Sequence, residues 1–168
     1  MNIFVSYSPA DIDLVGAIIA VLGANNRSLS YCDADSMRTS GRWQRDLGPA
    51  ISESSVVLLF WCHHSLTSYE VRKEFTLALE QGKEVIPLLL DSTPLPSRLA
   101  SLGCIDFRDR ALGIHEGPAE QPVTWALTGQ IDADRRIASG ISRQYEELLL
   151  MSLAREIEAE LAARLRPR

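Results

Sequence analysis

Two carboxylates, Glu70 and Glu74, stand one helical turn apart in the stretch 68–82. On a wheel of about 100° per residue, Val71, Phe75 and Ala78 share the core-facing side, while Lys73 and Glu80 point to water. Glu74 falls at neither pole. It sits about 70° from the apolar centre, beside Val71 and Ala78, with Glu70 on the same flank. A carboxylate there is expected half in the protein and half in a bordering cleft, so this flank reads as the working edge of an enzyme. As like charges at i and i+4, the two acids each disfavour ionisation of the other.

Other reactive residue types give weaker signals. Cys62, His63 and His64 are consecutive, but their spacing matches no standard zinc pattern, so they read as a plain loop with no metal. No Ser or Cys comes with an obvious His–acid pair. There is no G-x-G-x-x-G after the first apolar run and no G-x-x-x-x-G-K-[ST], which disfavours dinucleotide redox use and P-loop hydrolysis. A phosphoacceptor domain would want acids where Tyr7-Ser8 and Trp61-Cys62-His63 stand.

The elements that must position these residues alternate in type. Ile3–Tyr7, Ser28–Asp33, Val56–Trp61, Val85–Leu90 and Cys104–Phe107 read as strands. The run Val56–Trp61 is continuously apolar, as in a strand buried on both faces of a parallel sheet. Pro87 removes one ladder donor from the fourth strand. Ser8-Pro9-Ala10-Asp11 starts a helix whose stripe is Ile12, Val15, Ile19 and Leu22, with Leu14, Ile18 and Val21 widening it. Trp43, Leu47, Ala50 and Ile51 are spaced for a second helix, which Pro49 should kink or delay. The period is that of βαβ units: an α/β fold, five parallel strands with helices on both faces. Ligands of such sheets bind beyond the carboxyl ends of the strands, here loops 7–10, 33–42 and 62–69.

A weakly patterned segment, 109–132, precedes a helical tail with a stripe of Leu150, Ala154, Ile157, Leu161 and Leu165. The expected division is a domain over 1–132 and a helical extension over 133–168. The tail could dock on its own domain, pair with a second copy or contact a partner protein.

The totals narrow the class. At 168 residues, 46% hydrophobic and 23% charged, the chain suits one globular domain. A formal net charge of −5 makes nucleic acid or anionic membrane a poor partner. No apolar run approaches the roughly 20 residues that span a bilayer, and the start is unlike a signal peptide. Three cysteines with no C-x-x-C read as reduced thiols, consistent with a cytoplasmic protein.

In order along the chain, these motifs resemble a bacterial Toll/interleukin-1 receptor (TIR) domain of the NAD-cleaving type. Ile3-Phe-Val-Ser-Tyr7 resembles the family's first box, and Asp33 through Trp43 its second-strand end and BB loop. Val56–Trp61 resembles the third strand, Val85-Ile-Pro-Leu-Leu the fourth, and Ile105-Asp-Phe107 the fifth. Glu70-Val-Arg-Lys-Glu74 resembles the W-[CV]-x-x-E segment. The resemblance covers roughly residues 1–110. It implies a flavodoxin-like fold and one of two functions. One is cleavage of NAD+ at the nicotinamide–ribose bond, giving nicotinamide and ADP-ribose or a signal derived from it, in antiphage defence. The other is a non-catalytic scaffold acting through TIR–TIR contacts, as homo-oligomer or filament.

In the first case the resemblance makes Glu74 the catalytic residue. NAD+ is then substrate, and no cofactor is implied. The chemistry suits a lone carboxylate: nicotinamide leaves without a general acid, and an anion stabilises the oxocarbenium-like ribose. Tyr7 and Ser8 are implied ribose or base contacts, although Tyr7 equally reads as packing. Trp43 is an implied stacking partner for nicotinamide or adenine, or else the first core residue of its helix. Arg38 is implied to reach the pyrophosphate, or else is a solvated loop residue. The chain departs from the motif at Glu70, where the family has tryptophan. In some bacterial members that aromatic is tied to cyclising the product; Tyr69 offers a ring from a different angle. Hydrolysis or conjugation therefore gains weight over cyclisation.

Overall fold

The expected apolar runs become five strands of one sheet: β1 (Asn2–Ser6), β2 (Ser30–Asp33), β3 (Val56–Trp61), β4 (Glu84–Leu89) and β5 (Ile105–Asp106). All neighbours pair in parallel, in the order β2-β1-β3-β4-β5. The computed structural model describes residues 1–33, 43–108 and 131–165, and leaves out the side chains of 33, 43, 44 and 131–146. The helices are α1 (Ile12–Asn25), α2 (Trp43–Glu53), α3 (His63–Thr67), α4 (Tyr69–Glu80), α5 (Ser97–Ala100) and α6 (Ile131–Arg164). A single 3-10 turn, Pro9–Asp11, precedes α1.

Period-two alternation sorts each strand's side chains onto two cores. Ile3, Val5, Val56, Leu58 and Phe60 face α1 and α6, where Leu14, Val15, Ile18, Leu22, Leu153, Ala154, Ile157 and Leu161 meet them. Phe4, Val57, Leu59 and Trp61 face the other way, against Leu47 and Ile51 of α2, Val71, Phe75 and Ala78 of α4, and Leu99 of α5. Every residue of β3 is buried, as expected of a central parallel strand. Each such aliphatic side chain contributes about 1.5–3 kcal/mol of burial.

Four details differ from what the sequence predicts. Segment 62–69, expected as a loop, contains α3, which His63 and His64 open. The first strand stops at Ser6, and the following turn is 3-10 before it becomes α1. The centre of the α1 stripe is Leu14, Val15, Ile18 and Leu22, while Ile12, the first residue of the helix, is 42% exposed. Helix α2 runs through Pro49 to Glu53 as one element. Pro87 is tolerated in β4 because β5 pairs only with Leu88 and Leu89, leaving that side of β4 an edge at Pro87.

Helix α4 has defined ends. Ser68 is the N-cap, its Oγ accepting from the Val71 N–H at 3.2 Å. At the other end Gly82 adopts φ +67°, a left-handed conformation open to glycine, and the Lys83 N–H reaches back to the Ala78 carbonyl at 2.9 Å.

The tail docks on its own domain. Helix α6 lays Leu153, Ala154, Ile157 and Leu161 against α1, with Leu150 and Leu165 half-buried beside them. Arg164 pins its end, donating to Glu84 at 3.1 Å, to the Gly103 carbonyl at 2.6 Å and to Glu160 at 2.5 Å. Among the described residues no helix is long and apolar enough to cross a membrane.

Candidate functional site

Alternation along β1 puts Ser6 on the Phe4 side of the sheet, the side α4 covers. Its hydroxyl donates to Glu74 Oε2 at 2.6 Å. Both residues are 0% exposed. Glu74 is therefore buried as completely as Val71 and Ala78, and is not a carboxylate half open to a cleft. A wheel describes one helix about its own axis. Helix α4 touches α2, β1, β3 and β4 together, and these neighbours close the flank that the wheel leaves open. A buried ionisable group is costly unless it is bonded, and the Ser6 hydroxyl supplies a short bond. At its C-terminal end β1 thus carries a serine aimed at an acid 68 residues further on.

Glu70 has a different setting. It is half-buried and accepts from Ser68 Oγ at 3.1 Å, so it belongs to the capped first turn of α4. Tyr69 is 64% exposed on the opposite side of the helix from Val71 and Ala78. With Arg72, Lys73, Thr76, Leu77 and Glu80 it lines a shallow groove of about 330 Å³. Lys73, expected in water, is half-buried at that groove.

The other expected contacts are dispersed. Tyr7 is 2% exposed and packs in the core on the α1 face, its packing alternative. Ser8 is buried and caps the 3-10 turn, accepting from the Ala10 N–H at 3.4 Å. Trp43 opens α2, and its side chain lies outside the described residues, as does the whole of Arg38. The structure thus brings Ser6 to Glu74, and brings neither Tyr7 nor Tyr69 there. Ser6 escaped the sequence reading, although strand alternation was a signal that could have found it.

A second polar cluster lies at the carboxyl edge of the sheet. Asp11, 3% exposed, accepts from Cys62 Sγ at Oδ2 (2.9 Å) and meets His64 Nδ1 at Oδ1 (3.0 Å). Burial, reinforced by the bond to Asp11, pushes the Cys62 thiol up to about 11. His63 Nδ1 lies 2.8 Å from Asp91 Oδ2, which also accepts from the His63 backbone N–H at 2.9 Å. Burial alone would raise Asp91, but hydrogen bonds from Thr93 and His63 outweigh it and hold the carboxyl down at about 2.

A parallel sheet ordered 2-1-3-4-5 with helices on both faces defines a doubly wound α/β domain, with a buried serine–glutamate pair joining the end of β1 to α4. The chain belongs to the TIR domain family, whose sequence model matches residues 3–123. Among solved structures it is similar to the TIR domain of the Toll-related receptor TRR-2 from Hydra magnipapillata. That similarity has 16% identity and a TM-score of 0.56, covering 66% of this chain and 86% of that one. At that identity the likeness speaks for the fold alone. No curated relative matches the chain.

Proposed function

We propose that this TIR domain cleaves NAD+ at the nicotinamide–ribose bond, with Glu74 as the catalytic residue. The observation that carries the reading is a carboxylate 0% exposed at the carboxyl side of β1, held by Ser6. Burying an acid costs stability, and such groups cluster at functional sites. The residue also occupies the position of the glutamate in the W-[CV]-x-x-E segment of NAD-cleaving family members. Nicotinamide departs as a neutral leaving group, and the developing positive charge on the ribose is met by the Glu74 anion in a water-poor setting. Ser6 holds that anion in place. Because Glu74 is closed to solvent, turnover requires the packing around α4 to open toward substrate. Assembly through TIR–TIR contacts is the step that would open it, and a role in bacterial antiphage defence completes the proposal.

The test incubates concentrated, purified protein with NAD+ and follows free nicotinamide chromatographically. Glu74→Ala should abolish release, and Glu74→Gln should lower it by at least about 100-fold. Equal release by parent and both variants sinks the assignment.

One feature favours a second reading, a scaffold acting through TIR–TIR contacts: Glu70 replaces the family tryptophan and is spent on the helix cap. Under it, nicotinamide release is nil in the assembled state, while self-association survives Glu74→Ala.

A further inference from the structure

We propose that Asp11, Cys62, His63 and His64 form a binding site for a zinc-class divalent cation at the carboxyl edge of the sheet. The residues arrive from two directions. Asp11 closes the 3-10 turn after β1, and Cys62 follows β3 directly, with His63 and His64 opening α3. The linear spacing of Cys62-His63-His64 matches no zinc pattern. The fold adds a fourth ligand, 51 residues from Cys62, that no linear pattern contains.

The chemistry of the donor set suits the cation. Asp11 is buried, and both its oxygens are turned to the cluster, one toward Cys62 Sγ at 2.9 Å and one toward His64 Nδ1 at 3.0 Å. Among the described residues, the Cys62 sulfur and a ring nitrogen of each histidine lie within 4.8 Å of one another. Bonds of about 2.0–2.3 Å to a tetrahedral zinc place ligand atoms roughly 3.2–3.6 Å apart. The contacts of Asp11 with Cys62 and His64 therefore need to open by only a few tenths of an ångström, and the widest separation among Cys62, His63 and His64 needs to close by up to about 1.2–1.6 Å. Charge balances as well: a thiolate and a carboxylate cancel a 2+ ion, and two neutral imidazoles complete the set. On binding, the thiol proton leaves to solvent, the metal–sulfur bond forms, and His64 keeps its ring proton on the outward nitrogen.

The surroundings match what a metal site requires beyond its ligands. His63 Nδ1 is engaged by Asp91 at 2.8 Å, the carboxylate–histidine arrangement that orients a ligating ring and leaves its other nitrogen for the metal. Asp91 is itself fixed by the His63 and Thr93 backbone N–H groups, each at 2.9 Å. Ser65 Oγ, 3.6 Å from the sulfur, donates to the Phe60 carbonyl and steadies the Cys62 end. The rings of His63 and His64 stand 3.8 Å apart, centroid to centroid, on the outer side. With side chains 67% and 40% exposed, they give the ion a way in, while Asp11 and Cys62 lie behind them. Cys62 packs with the core on the α1 face, whereas Glu74 belongs to α4, which packs on the other, so the site stands whether or not NAD+ is cleaved.

The experiment titrates the full chain, freed of metal with a chelator, with Co²⁺ and then Zn²⁺. Visible absorption reports tetrahedral Co²⁺ and its thiolate charge-transfer band, and calorimetry reports Zn²⁺ affinity. One equivalent of Co²⁺ should produce both bands, Zn²⁺ should displace it, and Cys104→Ser should change nothing. Cys62→Ser should remove the charge-transfer band. His64→Ala, a change at a partly exposed side chain that leaves the fold intact by circular dichroism, and Asp91→Asn should each weaken Zn²⁺ by about tenfold or more. No saturable Co²⁺ signal in the parent, undiminished affinity in folded His64→Ala, or loss of the band in Cys104→Ser overturns the site.

Discussion

Replacing Ser6 by alanine tests the bond on which the candidate site turns. The hydroxyl donates to Glu74 Oε2 at 2.6 Å, and both partners are 0% exposed. Ser6→Ala removes this donor and leaves the carboxyl group where it is. Taking a partner from a buried hydrogen-bonding group costs about 1–3 kcal/mol, so a loss in that range is expected. For a chain of this size that lowers the Tm by roughly 2–12 °C. Glu74→Met removes the charge at similar volume. It should cost less than Ser6→Ala or even stabilise the fold, because buried ionic groups replaced by apolar ones of like shape are often neutral. In the Glu74→Met background Ser6→Ala should then cost under about 0.5 kcal/mol, because no carboxylate is left to lose its donor. Urea denaturation of the four proteins measures the cycle, and the small cavity left by the missing hydroxyl cancels between backgrounds. If Ser6→Ala costs the same with and without Glu74, the bond contributes nothing and the account of how this acid is held is wrong. In nicotinamide release, Ser6→Ala should lower kcat more than it changes KM, as expected of a positioning residue.

Two further outcomes follow from the packing and the charges. Ile157 is 0% exposed where α6 meets α1, so Ile157→Ala should cost about 2–5 kcal/mol in urea denaturation; a loss under about 0.5 kcal/mol would mean that α6 does not dock there in solution. Hydrogen bonds from Arg108 hold the Asp106 carboxyl down at about 2, below the ordinary carboxylate range. A carboxyl depressed on folding adds stability above its unfolded pKa, and that increment is lost as pH falls through the folded value. Asp106→Asn should therefore flatten the acid limb of a stability–pH profile between about pH 4 and 2, modestly because the pair is half exposed. An unchanged limb would exclude the ion pair.

The sheet was legible because its cause is local. Five apolar runs at strand length, separated by helical periods, specify parallel βαβ units wherever they occur, and the strands form within a residue or two of their expected limits. The capped helix α4 was equally legible, from Ser68 at its start and Gly82 past its end. Glu74 stood out as an acid beside apolar neighbours on a helix wheel. What the wheel could not supply was the number of elements packed around it, and so a flank expected at a cleft proved to be closed.

The tail's stripe announced a buried face, but its destination on α1 depended on which face of the sheet the preceding elements left uncovered. The pairing of Ser6 with Glu74 spans 68 residues, and that of Asp11 with Cys62 spans 51. Both exist because β1 lies beside β3 in the sheet, an order set by the balance of all the helices packing on two faces. By itself the sequence determined which segments are strands and most of the helices, which side of each is apolar, and that an acid sits on a helix between β3 and β4. Only the tertiary structure decided which polar groups meet across the sheet edge, because hydrogen bonds and metal ligands depend on distances of a few ångströms that no periodicity along one element encodes.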